Sequence, residues 1–207
     1  VSIVVTGLPA FTQTAIKMDF HFDESLLPAD AELNEEVIMA IDFHSLVKKT
    51  LREKFPDVKN RGQKKVLYKI ISNGTPYQLR DMLIEDHSIL GTTQTLWVLA
   101  DDEIDSIFKG SKTIADSRMT EEQYGWIRRL IAEESVRTQF NWTFFTNGDS
   151  REPEQSGIRG AIMGSLFVII VTLGLSFPMG VAAAIYLEEF AKPSRLNDLI
   201  EININNL

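Results

Sequence analysis

The sequence predicts an α-helical membrane protein that carries a small mixed α/β domain between two membrane spans. Three observations point there. Residues 160–187 run for 28 positions without a charge; as a helix they would extend about 42 Å, against a hydrocarbon core of about 30 Å. Residues 1–11 form a second, shorter apolar run. Residues 12–157 between them are polar-rich and carry both strand and helix periodicities.

Taken in order, residues 1–11 lack the charged start and small-residue cleavage site of a signal peptide. They read as the C-terminal end of a first membrane helix. A buried strand is the competing reading, because short apolar runs fit both. The other end, RLNDLIEININNL, stops mid-pattern. Both ends therefore read as interior to a longer chain.

Within residues 12–157, Ile16, Met18, Phe20 and Phe22 alternate with polar residues, the period of a half-buried strand. Leu46, Val47, Leu51 and Phe55 recur at helical spacing, and Pro56-Asp57 stops that helix. Val66, Leu67, Ile70 and Ile71 mark a second helix, closed by Ser72-Asn73-Gly74 with glycine as C-terminal cap. Thr75, Pro76 and Gln78 predict the next start, with a threonine cap and a capping box. Residues 95–100 (TLWVLA) read as a short buried strand. Asp101 caps a short helix closed by Gly110, and Thr120 with Gln123 forms a capping box ahead of another. Val136, Thr138, Phe140, Trp142 and Phe144 alternate as a final strand, followed by the turn Asn147-Gly148-Asp149-Ser150.

Composition narrows the function. Residues 12–157 hold 18 Lys and Arg against 25 Asp and Glu, a net charge of −7. Such a domain is poorly suited to nucleic acid, and is a poor electrostatic funnel for an anionic solute. The absence of Cys excludes disulfides and cysteine-based metal or redox sites. His21, His44 and His87 show no metal-ligand spacing and read as surface or satisfied histidines. Asn141-Trp142-Thr143 matches a glycosylation sequon inside a strand pattern, and no meaning is assigned to it. Residues 19–42 carry eight acids and no Lys or Arg, whereas residues 48–69 carry nine bases. The basic run either docks on lipid headgroups or an acidic partner, or simply pairs with the acidic run; the second is favoured. No catalytic, cofactor or metal site emerges.

The long apolar run is itself patterned. Gly160 with Gly164, Ala161 with Ser165, and Gly180 with Ala184 are small pairs one turn apart, the spacing that lets helices approach closely in lipid. Pro178 inside the run predicts a kink. A lone anchor needs neither feature, so a polytopic bundle is favoured over a single-pass anchor. Beyond it, Asn203, Asn205 and Asn206 lie among Ile202, Ile204 and Leu207. They either face a cavity at the start of a further span or belong to a loop outside lipid.

The stretch FPMGVAAAIYLEEFA (residues 177–191), followed by Arg195-Leu196 and LIEININNL (199–207), closely resembles the PstA family of permease subunits of bacterial phosphate ABC importers. RTQFNWTFF (137–145) and GDSREPE (148–154) are similar to the extracytoplasmic domain inserted in one branch of that family. The resemblance implies a multi-pass protein of the bacterial inner membrane. Residues 1–11 would end the first transmembrane helix, 12–157 form a periplasmic domain, 158–187 the first helix of the permease core, and 188–207 a cytoplasmic loop and the next span's start. It further implies a transport subunit rather than an enzyme, with no cofactor and with ATP hydrolysed on a separate subunit. The implied partners are a second permease subunit, the ATP-binding subunit, a periplasmic phosphate-binding protein and membrane lipid, with no nucleic acid. Asn203, Asn205 and Asn206 become the pore-facing candidates. The alternative reading is a bitopic membrane sensor with a periplasmic input domain, which shares the same gross layout.

Overall fold

The computed structural model describes residues 7–27, 33–190 and 202, and divides into two units, Val1–Arg159 and Gly160–Leu207. The first unit is a mixed α/β domain built on one long strand. In β1 (Thr12–His21) the predicted alternation holds: Ile16, Met18 and Phe20 are buried, with Phe22 just beyond, while Lys17, Asp19 and His21 are exposed. After β1 come α1 (Glu35–Ala40), α2 (Phe43–Lys54), α3 (Arg61–Leu67) and α4 (Thr75–Glu85). They are followed by β2 (Thr93–Leu99), α5 (Asp102–Phe108), α6 (Glu121–Ala132), β3 (Val136–Phe140) and α7 (Trp142–Thr146).

Both β2 and β3 pair antiparallel with β1, giving the order β2-β1-β3. The register sets Ile16 opposite both Val98 and Val136, so one sheet face carries the apolar side chains. α2 packs on β1 and on α4 over that face. The core they enclose includes Phe20, Phe22, Leu51, Phe55, Leu79, Leu83 and Ile104, all almost wholly buried. On the opposite face the Arg137 guanidinium stacks 4.1 Å from the Trp97 ring centroid, and the Thr95 hydroxyl donates to Asp19 (2.6 Å).

Several local expectations hold. Asp101 caps α5 by accepting from the Glu103 N–H, Gly110 has the positive φ (+70°) expected just after that helix, and the Thr120–Gln123 capping box forms in full. Three do not. α3 ends at Leu67 rather than Ile71, because the chain turns to pair with the end of β2: the Ser72 N–H donates to Leu99, the Asp101 N–H donates to Ile70, and Ile71 bridges Ala100. Gly74 is the N-cap of α4, not the C-cap of α3. Thr75 consequently sits inside the helix with its hydroxyl buried and unbonded, and the capping box with Gln78 does not form. The last strand stops at Phe140, opposite Thr12 where β1 begins. Asn141 then caps α7, which takes Trp142 and Phe144 out of the sheet.

The second unit contains α8 (Arg159–Ile185), which starts at the last residue of the first unit.

Candidate functional site

α8 carries the helix-packing residues singled out from the sequence. The stretch Arg159–Phe190 is long and apolar enough to cross a membrane, with a mean hydropathy of 2.2 in its most apolar window and no residue of that window buried. Gly160 and Gly164 sit one turn apart, and a Cβ added at either would meet nothing within 4 Å; the same holds at Gly180. Sixteen residues separate Gly164 from Gly180, a rise of about 24 Å and a net rotation of about 160°. The pair Gly160/Gly164 and the pair Gly180/Ala184 therefore occupy nearly opposite faces near opposite ends of the helix. Such a helix can admit one close neighbour at each end and on each side.

Pro178 lies inside α8, and the helix continues through it to Ile185. A π-helical turn follows over Tyr186–Phe190. Sequence reasoning missed that turn; its one signal is the pair Glu188-Glu189, where charge first interrupts the apolar run. Asn203, Asn205 and Asn206 lie outside the described residues.

At the other end of α8 the first unit closes on α7. The Gly157 N–H donates to Gly148 (2.8 Å), the Ile158 N–H to Phe144 (2.8 Å) and the Arg159 N–H to Asn147 (3.1 Å). Asn141, buried, fastens the start of the domain to the same helix. Its amide donates to the Ala10 carbonyl and its side-chain oxygen accepts from the Phe144 N–H, each at 3.0 Å. Its backbone N–H donates to Phe11. The sequon residue is thus a helix cap and a tether.

Beside this junction lies a cavity of about 350 Å³ lined by Gln13, Asp102, Asp105, Lys109, Asn141 and Glu154 among others. Lys109 is paired with Asp105 at 2.5 Å, and the other Asp105 oxygen accepts the Thr14 N–H at 2.7 Å. Three carboxylates against one committed ammonium make the cavity unsuited to an anion.

A strap, residues 152–155, crosses from this cavity onto the loop before α4. The Ser72 hydroxyl donates to Glu154, the Gln155 amide donates to Ser72 (3.1 Å), and the Asn73 amide donates to Glu152 (3.2 Å). The Gln155 amide lies where a Cβ on residue 74 would fall, so a larger residue there would displace that side chain. The strap collects acid. Burial, reinforced by the Asp102 and Glu154 carboxylates, pushes Asp101 from 3.8 up to about 6, although the Glu103 N–H acts the other way. Burial also raises Glu154.

A carboxyl whose folded pKa is raised contributes stability below its unfolded pKa, and that stability is lost as pH climbs through the folded value. Asp101→Asn keeps the cap but removes the charge. After allowance for solvent screening it is expected to stabilise the domain by about 1 kcal/mol at pH 7.5 and by nothing at pH 4. Thermal unfolding of the two proteins across that range checks it; a gain independent of pH would contradict the assignment.

His21, His44 and His87 are exposed, His21 bonding Thr93 at 3.0 Å. Among the described residues no three His, Cys, Asp or Glu side chains group as metal ligands. The expected pairing of basic with acidic run is met, among those residues, by Lys49–Asp23 (3.6 Å) alone. Lys54 turns to Glu133 instead (2.7 Å), because the last turn of α2 faces the end of α6.

Residues 1–117, more than half of the chain, match the family model described as a domain of unknown function, DUF3333. No curated protein and no solved structure matches the chain.

Proposed function

We propose that this chain, which belongs to the DUF3333 family, is part of the transmembrane permease subunit of an ATP-driven phosphate importer. The observation that carries the reading is α8. It is wholly unburied, bears close-approach surfaces on opposite sides, and runs directly into the FPMGVAAAIYLEEFA stretch that resembles the phosphate permeases. A bundle helix needs two such surfaces, whereas the lone anchor of a sensor needs none. In this reading α8 is the first helix of the permease core, and the α/β domain lies outside the inner membrane of a bacterium. A second permease subunit and a separate ATPase complete the transporter, and Asn203, Asn205 and Asn206 line the pathway.

The domain's acidic charge and its acidic cavity argue that it contacts protein rather than phosphate. Its partner in this reading is the periplasmic phosphate-binding protein or the second permease subunit. The test is uptake of labelled phosphate, with sulfate as competitor, by cells whose own importer is deleted and which carry the full-length gene together with its second permease subunit, ATPase and binding protein. Phosphate uptake resistant to sulfate is the expected result; no uptake, or equal inhibition by sulfate, overturns the reading. Replacing residues 15–150 by a short linker is expected to impair binding-protein docking and uptake. Unchanged docking and uptake would remove the domain's proposed role while leaving the permease assignment in place.

A further inference from the structure

The aromatic residues around α7 form a continuous patch that the domain core does not use. Phe11 packs edge-on against Phe144 (centroids 5.7 Å apart) and stacks with Phe145 (5.9 Å). Phe145 stacks in turn on Phe140 (5.8 Å), and Phe140 meets Trp142 at 4.9 Å. Of these five rings Phe144 is half-buried, and the other four are open to solvent: Trp142 is 68% exposed and Phe140 47%. Lone exposed apolar residues are ordinary on a protein surface, but five joined rings mark a surface that is covered in use.

Position says what covers it. The residues that lead into α8 are bonded to the helix that bears the patch: Ile158 to Phe144 itself and Arg159, the first residue of α8, to Asn147. The other flank of the patch, Phe11, is tied to the same helix through Asn141. If α8 spans a bilayer, Arg159 marks the level at which the chain leaves the hydrocarbon. Phe144 and Asn147, on the helix that bears the patch, are then bonded directly to the residues at that level. Headgroup depth is where amphipathic aromatic rings, tryptophan above all, partition most favourably.

We propose that this patch is an interfacial anchor: Phe11, Phe140, Trp142 and Phe145 insert into the headgroup–acyl boundary of the membrane that α8 crosses. Asn141 is its positioning residue, since its side chain joins the Phe11 segment to α7. The anchor holds the domain against the bilayer surface. This inference rests on the spanning reading of α8.

The chain has three tryptophans, Trp97, Trp126 and Trp142, and no cysteine. The full chain carrying Trp97→Phe and Trp126→Phe leaves Trp142 as sole reporter; adding Val171→Cys gives a single thiol near the middle of α8. Reconstituted in phosphatidylcholine–phosphatidylglycerol vesicles, Trp142 is expected to lose emission to lipids brominated near the headgroup and much less to lipids brominated near the chain end. The introduced thiol is expected to resist a water-soluble maleimide. Unquenched Trp142 beside a protected thiol overturns the anchor and leaves the spanning helix intact, and blue-shifted but unquenched emission does the same by pointing to a protein cover. A reactive thiol overturns both. A companion chain with Trp126 as sole tryptophan, half-buried against Phe55, is expected to stay unquenched; quenching there to the same extent would also overturn the anchor.

Discussion

Ile169→Arg combined with Leu173→Arg is expected to stop α8 from holding the chain in a membrane. Both positions lie close to the middle of α8, one turn apart, and both are exposed. At the centre of a membrane helix each arginine costs about 2.5–3.5 kcal/mol on insertion, so the pair costs about 5–7 before the lost Ile and Leu are counted. A penalty of about 5 kcal/mol shifts a two-state partition more than 1,000-fold. Membrane fractionation with an alkaline wash of the segment 12–190, in which α8 is the one candidate span among the described residues, reads the outcome directly, with Ile169→Leu and Leu173→Ile as the shape-preserving control. If α8 instead faced water, two arginines on an apolar surface would raise solubility and cost little. Unchanged membrane retention of the double arginine variant, or equal loss in the control, would defeat the spanning assignment and with it the permease reading.

Where local chemistry decides the structure, the sequence is enough to read it. The alternation Ile16–Met18–Phe20–Phe22, the Asp101 cap and the Thr120–Gln123 box are set by neighbours within four residues, and each stands as expected. Where a distant partner decides, the pattern misleads. Ile70 and Ile71 fit a helical stripe, yet the end of β2, some thirty residues away in sequence, supplies a better set of hydrogen-bond partners. Val136 to Phe144 alternates without a break, but β1 offers nothing beyond Thr12 for it to pair with, and the Asn141 side chain is at hand to start a helix. The same limit applies to the sites. Gly160, Gly164, Gly180 and Ala184 announce themselves by spacing alone. Phe11, by contrast, reads as part of a span, and Phe140 and Trp142 as part of a strand. Only folding brings them together, because their meeting depends on the tether from Asn141 to Ala10.

Gly157→Ala tests whether residues 157–159, the last of the α/β domain, are held against α7. A Cβ at this position would collide with the Asn147 carbonyl oxygen and stand 2.7 Å from that of Thr143. Both are backbone atoms of α7 or its cap, so no rotamer change can relieve the clash. The segment 157–159 must lift away, and with it go the bonds from Gly157 to Gly148, Ile158 to Phe144 and Arg159 to Asn147. Overpacking of this kind costs about 1–3 kcal/mol, and each exposed hydrogen bond adds about 0.5–1.5. The lower ends of these ranges sum to about 2.5 kcal/mol, so a loss of domain stability of at least about that size is expected, with new protease cleavage around residues 148–158. Gly148→Ala is the matched control: a Cβ there meets nothing within 4 Å, and a change of no more than about 0.5 kcal/mol is expected. Membrane retention should be the same in both, since neither touches the apolar run. Equal stability and equal proteolysis of the two variants would show that residues 157–159 are not held by α7, and the aromatic patch would then not be tied to the residues that lead into α8.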